Sequence, residues 1–256
     1  MSNPEVVVHR DGDLLAAAAA ARLVTRIVDA QAARGFASVV LTGGRTGTAV
    51  LDHLNRSAAR DAVDWSRVDL FWGDERFLPS GHADRNETQA RAALLDHVPL
   101  DPSRVHVMEP SDGKYGDDPE AAASAYAALL ATLAGTEDVP AFDVCMLGVG
   151  EEGHVASVFP DSPAVHEKER TVVAVRDCPK PPPTRVSLTL ASVRAAQEVW
   201  LMTTGEAKAE AVASALDGAD EVALPAAGAV GRSRTLWLLD TSAASAVPAL
   251  FKPSLA

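Results

Sequence analysis

The residue whose type and setting are best suited to chemistry is His154, in the stretch 142–160, FDVCMLGVGEEGHVASVFP. Its apolar start predicts a buried strand, which breaks at the sequence GVG and leaves Glu152 and His154 just beyond the strand's end. In α/β proteins, ligands bind outside the carboxyl ends of the strands. An imidazole with a pKa of about 6.5 can take a proton from water and return it to a leaving oxygen.

Two interpretations of this histidine stay open. It is either an acid–base residue, which Glu152 orients or whose charged form Glu152 stabilises, or a structural side chain. The surrounding glycines and small residues favour the first. A metal site is not predicted, because His154 has no second histidine at the spacing of helical metal ligands.

A glycine loop forms the second candidate feature. The apolar run 37–41 predicts a short strand, and Thr42-Gly43-Gly44-Arg45-Thr46-Gly47 follows at once, before a helix that should begin near Thr46 or Thr48. Glycines let a ligand approach the backbone, and the free N–H groups of a helix start favour a phosphate. The alternative is a tight turn without a ligand. The loop matches neither G-x-G-x-x-G nor a P-loop, which disfavours dinucleotides and nucleoside triphosphates.

Charged residues come directly after the apolar run 68–72. Asp74, Glu75 and Arg76 lie at the carboxyl end of this predicted strand, where side chains of a site are expected. Asn86 and His82 follow closely enough to reach the same pocket. A solvated turn is the alternative explanation for the cluster.

Two single cations complete the set of candidate residues. Arg185 follows the proline segment CPKPPPT, and Lys208 lies in the first turn of a helix predicted from Gly205-Glu206. Each taken alone is ordinary for a protein surface. Together with the glycine loop they predict a phosphate clamp, made of a planar guanidinium and a point charge.

Alternating strands and helices must position these residues. Strands are predicted over 6–8 (at a sheet edge), 37–41, 68–72, 104–108, 142–147, 171–175, 198–202 and 235–239. Helices are predicted from Asp11 or Asp13 to about Arg34, from Thr46 or Thr48, and over 87–95, 121–133 and 206–216. This alternation predicts a mostly parallel sheet covered on both faces. Without an internal repeat or long linker, one domain over 1–256 is the simplest division.

Composition limits the partners. The net charge of -12 disfavours nucleic acid and anionic membranes, so an anionic small molecule would need locally gathered donors. Cys145 and Cys178 form neither a disulfide framework nor a C-x-x-C motif, and Cys145 is expected to be a buried packing thiol. No signal segment is recognised at the start, and Arg22 interrupts the alanine-rich run that follows, so we expect a cytoplasmic protein.

In this order, the segments resemble the 6-phosphogluconolactonases, which belong with the glucosamine-6-phosphate isomerases to one family. The matching segments are LTGG (41–44), WGDER (72–76), LGVGEEGHVASVFP (147–160), RVSLTL (185–190) and TGEAKAEAV (204–212). WGDER and GHVASVFP are the specific ones. The chain departs from the usual pattern at Arg45 and Gly47, where serine and proline are common, and at Glu151-Glu152, where Pro-Asp is common.

The resemblance implies a fold, a reaction and residue roles. The fold is a three-layer α/β/α sandwich with a mostly parallel sheet, as in glucosamine-6-phosphate deaminases. The reaction is hydrolysis of 6-phospho-D-glucono-1,5-lactone to 6-phosphogluconate, without a cofactor, by a monomer or small homo-oligomer. The implied catalytic residues are His154, Glu152 and Asp74. The implied substrate- and phosphate-binding residues are Gly43, Gly44, Arg45, Thr46, Arg76, Asn86, Arg185 and Lys208. The alternatives are a sugar-phosphate isomerase or deaminase, and a sugar-phosphate sensor without catalysis.

Overall fold

A computed structural model describes residues 4–248 and residue 251. Within these residues the strands are β1 (Glu5–His9), β2 (Ala37–Leu41), β3 (Val68–Trp72), β4 (Asp74–Arg76), β5 (Val144–Gly148), β6 (Val172–Val175), β7 (Arg185–Leu188), β8 (Glu198–Thr203) and β9 (Arg234–Asp240). The α-helices are α1 (Gly12–Arg34), α2 (Gly44–Arg56), α3 (Asn86–Ala93), α4 (Pro119–Ala134), α5 (Pro163–His166), α6 (Leu190–Val193), α7 (Ala209–Leu216) and α8 (Pro225–Gly228).

The main sheet has six strands in the order β1-β9-β8-β5-β2-β3. Every neighbouring pair in it is parallel, which confirms the predicted sheet type and the edge position of β1. From β2 the chain proceeds outward to β3, whereas from β5 it proceeds the other way to β8 and β9. The direction of winding therefore reverses between β2 and β5. At such a switch point a crevice opens at the carboxyl ends of the strands.

Successive residues of the main strands face opposite sides of the sheet, because side chains alternate along a strand. In β2, Val39 and Leu41 pack with α1, α2 and α3, whereas Val40 packs on the other side with α4, α7 and the second sheet. Both faces are thus covered, as predicted. Cys145 belongs to the second face and is fully buried, where burial raises the pKa of its thiol to about 12.

The long helix α1 shows how the sequence sets its limits. Asp11 caps the start, its carboxylate accepting a hydrogen bond from the backbone N–H of Leu14 at 2.9 Å. Gly35 ends the helix in a left-handed conformation with φ of 84°, which glycine adopts without a steric cost. These limits confirm the helix predicted from Asp11 or Asp13 to about Arg34.

A small antiparallel sheet, in the order β4-β7-β6, was not predicted. The segment 171–175 does form a strand, but it pairs with β7 there rather than with the parallel sheet. The charged residues after β3 also form a strand, β4, whose Arg76 lies opposite Arg185 of β7. Short strands in separate sheets give the same local pattern as strands of one sheet, so only long-range pairing distinguishes them.

The prediction of a strand over 104–108 is wrong. A 3-10 turn (Pro102–Arg104) comes first, and Val105 alone forms a bridge, with Leu70 of β3. The side chains of Arg104 and His106 both turn to the carboxylate of Asp69, at 2.6 and 3.0 Å. These side-chain contacts hold the segment beside the sheet without a ladder of backbone hydrogen bonds.

The remaining predicted elements differ from the observed ones at their termini. Helix α2 begins at Gly44 rather than at Thr46 or Thr48, and a 3-10 turn (Glu206–Lys208) precedes α7. No helix in the described part of the chain is long and apolar enough to cross a membrane. The single-domain prediction over 1–256 includes positions outside the described residues, and it stays a prediction.

Candidate active site

The switch point between β2 and β5 holds a cavity of about 400 Å³. Its walls come from the glycine loop after β2, the start of α3, the loop after β5 and the 3-10 turn before α7. Of the residues predicted from sequence, those that line it are Gly43, Gly44, Arg45, Thr46, Asp74, Arg76, Asn86, His154, Arg185 and Lys208. Glu152, Glu75 and His82, which were expected at the same site, do not line it. A small sugar phosphate fits a cavity of this size.

Three glycines give the loop after β2 its shape. Gly44 has φ of 75°, and Gly43 precedes it as the cap of α2 without a side-chain hydrogen bond. A Cβ at Gly43 would lie 1.7 Å from Oδ1 of Asn86, and one at Gly47 would lie 2.2 Å from the carbonyl oxygen of Thr42. The loop therefore packs against Asn86 and folds back on itself. The free N–H groups at the start of α2 are left at the cavity wall.

Cations gather around this wall. Arg45 and Lys208 line the cavity together with Lys180, a residue of the proline segment. Burial lowers the pKa of Lys208, and the positive charges of Lys180 and Arg45 lower it further. These like charges repel one another, and a bound dianion would relieve that repulsion. The electrostatics thus suit a phosphate.

The loop after β5 packs the imidazole of His154 against the backbone of Gly150. A Cβ at Gly150 would lie only 2.0 Å from Nδ1 of His154, so glycine is required for the imidazole to pack there. The loop is closed by a 2.9 Å hydrogen bond from the N–H of Gly150 to the carbonyl of His154. On another side the imidazole stacks on the buried ring of Phe159, with centroids 4.4 Å apart.

The His154 ring is held neutral and in one orientation. Its pKa is lowered, mainly by burial, while the carboxylate of Glu152 acts in the opposite direction and Lys180 adds to the lowering. Nδ1 lies 3.1 Å from Oε1 of Glu152, within ion-pair distance, and it makes no hydrogen bond to the described residues. A carboxylate beside Nδ1 favours the tautomer protonated there, which leaves the lone pair on Nε2.

Glu152 also contacts Lys180, whose Nζ donates a hydrogen bond of 2.8 Å to Oε2. Burial raises the pKa of Glu152, but the hydrogen bond from Lys180 and the positive charge of that lysine act in the opposite direction, and the pKa is lowered overall. Glu152 is therefore an ionised carboxylate with one oxygen toward Lys180 and the other toward His154.

Asp74 lies at the centre of a buried hydrogen-bond network. Its Oδ2 accepts from the hydroxyl of Ser157 at 2.6 Å, and its Oδ1 accepts from Nδ2 of Asn86 at 3.3 Å. Nη1 of Arg185 lies 3.7 Å from Oδ2. These contacts tie β4, α3, β7 and the His154 loop together. Asp74 was predicted to be catalytic, and that role stays a prediction.

Glu75 places Asn86 and leaves Arg76 toward the cavity. Its buried carboxylate accepts hydrogen bonds from the backbone N–H groups of Asn86 at 2.7 Å and Glu87 at 2.8 Å, which caps α3. Nη1 of Arg76 donates to the carbonyl of Asp84 at 2.6 Å. Its Nε has no hydrogen-bond partner among the described residues. Arg76 itself lines the cavity.

Arg185 lines the cavity, but its guanidinium is largely occupied. Nε donates to the carbonyl of Pro182 at 3.2 Å, and Nη2 donates to the carbonyls of Lys180 at 3.1 Å and Pro181 at 3.4 Å. The residue is buried, and its guanidinium lies 6.0 Å from the centre of the Phe159 ring. The predicted phosphate contact of Arg185 is not tested by this arrangement.

The sequence interpretation missed two residues. Lys180 was counted only as part of a stiff proline segment, although a lysine just before a run of prolines is held in a restricted backbone. Ser157 was not among the predicted residues, and its hydroxyl donates a hydrogen bond to Asp74. His82 was expected at this cavity but lines a neighbouring one, lined also by Leu78 and Gln89. Among the described residues, no three His, Cys, Asp or Glu side chains are grouped to hold a metal ion.

The sequence model described as "Glucosamine-6-phosphate isomerases/6-phosphogluconolactonase" matches residues 10–237, which spans the whole cavity. The chain belongs to this family. A protein named 6-phosphogluconolactonase from Streptomyces coelicolor is 63% identical over 257 residues, covering 99% of this chain and 98% of the relative.

Two solved structures show the same fold. The 6-phosphogluconolactonase of Trypanosoma brucei is 28% identical with a TM-score of 0.79, covering 97% of this chain and all of its own. A monomeric glucosamine-6-phosphate deaminase is 21% identical with a TM-score of 0.78, covering 94% of this chain and 99% of its own. The expected deaminase-like α/β fold is therefore confirmed.

Proposed function

We propose that the protein is a 6-phosphogluconolactonase, which hydrolyses 6-phospho-D-glucono-1,5-lactone to 6-phosphogluconate. The observation that carries the proposal is the pairing, across one cavity, of a neutral His154 with the cations Arg45 and Lys208. An acid–base group at one end and a phosphate site at the other fit a phosphorylated sugar ester. The close relatives named 6-phosphogluconolactonase support the same reaction.

The reaction begins with water activated by His154. Nε2 takes a proton from water as the water oxygen bonds to the lactone carbonyl carbon, and the carbonyl oxygen becomes an oxyanion. The guanidinium of Arg76, which lines the cavity, stabilises this charge. When the intermediate collapses, the bond from the carbonyl carbon to the ring oxygen breaks. The imidazolium of His154 gives its proton to that oxygen, which becomes the free hydroxyl of the open acid.

The phosphate is held at the glycine loop after β2. Backbone N–H groups at Gly43, Gly44, Arg45 and Thr46 surround it, and Lys208 supplies a charge. This attachment fixes the lactone carbonyl relative to His154, which converts binding energy into correct orientation. Asn86 and Asp74 keep the wall between the two ends rigid.

No covalent intermediate is required. Cys145 is fully buried with a pKa raised to about 12, and the hydroxyl of Ser157 is engaged by Asp74. A lactone carbonyl is already electrophilic, so direct attack by water needs only a base and an oxyanion donor.

The test follows acid release from freshly generated 6-phosphogluconolactone, with spontaneous hydrolysis subtracted. The wild-type protein should accelerate hydrolysis, and His154→Ala should lose most of kcat/KM while its circular dichroism and thermal unfolding stay unchanged. Near-wild-type turnover in His154→Ala would remove the histidine from the mechanism. Ammonia release from glucosamine 6-phosphate, without lactone hydrolysis, would point to the deaminase alternative. Binding of the lactone without turnover would point to the sensor.

The setting of the enzyme is part of the proposal. We infer a cytoplasmic enzyme whose partner is the small sugar phosphate, with no role for nucleic acid, because the net charge of -12 opposes it. A monomer or small homo-oligomer is expected, and sedimentation equilibrium would measure this state directly.

A further inference from the structure

The mechanism leaves two cations of the cavity, Lys180 and Arg185, without a role. Lys180 lies on the segment between β6 and β7, and its ammonium is committed to Glu152 at 2.8 Å rather than free in the cavity. Glu152 in turn lies 3.1 Å from Nδ1 of His154. The contacts thus form a line from Lys180 through Glu152 to the acid–base residue.

The backbone around Lys180 is held in place by Arg185. Arg185 is buried, and its guanidinium binds the carbonyls of Lys180, Pro181 and Pro182. A further hydrogen bond of 2.9 Å, from the N–H of Cys178 to the carbonyl of Pro183, closes the segment on itself. Three carbonyls held by one side chain leave little freedom to the chain that carries Lys180.

We infer that Lys180 is a positioning residue of the hydrolytic reaction: it holds Glu152, which orients the His154 imidazole, and Arg185 fixes the segment that carries it. The inference rests on the proposed function, in which His154 is the base. It gives Arg185 a task at the acid–base end of the cavity instead of the phosphate end.

The pair works through geometry rather than stability. The side chains of Lys180 and Glu152 are 43% and 33% exposed, and ion pairs as open as this contribute little to folding. Glu152 has two oxygens and rotates freely about its side-chain bonds. With Oε2 bound by Lys180, Oε1 is kept beside Nδ1, and the lone pair of Nε2 is directed to the water.

A double-mutant cycle tests this line of contacts. Lys180→Met keeps the length of the side chain and removes its charge, and we expect kcat to fall about tenfold with KM changed less than about twofold. In the background of Glu152→Gln, the same change should cost less than about twofold, because its effect passes through Glu152. Lys180→Arg, which can still reach the carboxylate, should recover most of the lost kcat.

Two results would overturn the inference. An equal loss from Lys180→Met in both backgrounds would mean that the lysine acts on the substrate directly. No loss in the wild-type background would mean that it does not act at all.

The protonation of His154 gives a second readout that does not depend on turnover. The charged groups facing its ring are Glu152, Lys180, Asp74 and, across Phe159, Arg185. Imidazole NMR of the free protein should show the pKa of His154 raised in Lys180→Met, because a repelling charge is lost. It should be lowered in Glu152→Gln, because an attracting charge is lost. If the pKa of His154 shifted in the same direction in both variants, the proposed contacts of Lys180, Glu152 and His154 would be refuted. This outcome does not depend on which substrate the protein hydrolyses.

The role of Arg185 is tested by comparing the KM of its variant for phosphorylated and unphosphorylated lactones. Arg185→Lys keeps the charge but loses the planar guanidinium whose Nε and Nη2 reach separate carbonyls, so we expect a loss of kcat that does not add to that of Lys180→Met. Its KM should change equally for 6-phosphogluconolactone and for unphosphorylated gluconolactone. A rise in KM confined to the phosphorylated lactone would assign Arg185 to the phosphate instead. Should this buried variant misfold, the Lys180 cycle still decides the main point.

Discussion

Gly150→Ala is the change that most directly tests how the loop after β5 builds the site. The added Cβ would lie 2.0 Å from Nδ1 and 2.2 Å from Cε1 of His154, and 2.9 Å from Oε2 of Glu152. The φ of Gly150 is not among the positive values, so alanine meets no backbone strain. The substitution therefore acts on the imidazole and its carboxylate partner rather than on the fold.

The size of the effect follows from these distances. Non-bonded atoms need about 3.5 Å, so the imidazole must retreat by roughly 1.5 Å. A displacement of about 1 Å at a catalytic group typically costs about 100-fold in rate, which equals about 2.7 kcal/mol of transition-state stabilisation. We expect kcat to fall by about this factor while KM changes little, because the phosphate end of the cavity is untouched.

The assay measures kcat and KM for freshly generated lactone, with Gly73→Ala as the matched control. Gly73 lies beside the site at the end of β3, but a Cβ there meets its nearest atom, Cδ2 of Leu147, at 3.5 Å, an ordinary contact. This control should keep kcat within about threefold of wild type. If Gly150→Ala also does so, the imidazole is not held against this backbone, and the reasoning about the loop fails.

Three further predictions concern the base, the phosphate and the fold. Burial lowers the pKa of His154 below 6.5, so the base stays neutral as the pH falls toward that value. The value of kcat/KM should therefore reach half its maximum below pH 6.5. A midpoint above pH 6.5 would contradict the buried base. Lys208→Met should raise KM for the phosphorylated lactone about tenfold and leave KM for gluconolactone nearly unchanged, whereas equal effects would place Lys208 outside the phosphate site. Asp143→Ala removes a buried carboxylate that is bound by Arg34 at 2.6 Å and by the N–H of Ser38 at 2.9 Å. Urea denaturation should show a loss of about 2–3 kcal/mol in the free energy of unfolding. The kcat should be unchanged, because Asp143 lies at the other end of the strands.

The local elements of the fold could be predicted because their signals are local. Asp11 and Gly35 mark the ends of α1, and the apolar runs at 37–41 and 198–202 identify central strands. The strand over 104–108 was predicted wrongly because a short apolar alternation does not show whether a neighbouring strand is available. Side-chain contacts with Asp69 decided that segment, and these depend on β3, which lies far from it in sequence.

The sequence by itself determined which chemistry is present: a histidine among glycines, a glycine loop before a helix, and cations that follow strands. Because the carboxyl ends of parallel strands meet at one edge of the sheet, the segments after β2, β3 and β5 could be expected to share a site, and ten of the predicted residues do line one cavity. Only the tertiary structure decided which of these side chains contact one another. The antiparallel pairing of β4 with β7 brings Arg185 under the proline segment, and that segment carries Lys180 to Glu152. Such contacts join residues distant along the chain, and no local propensity records them.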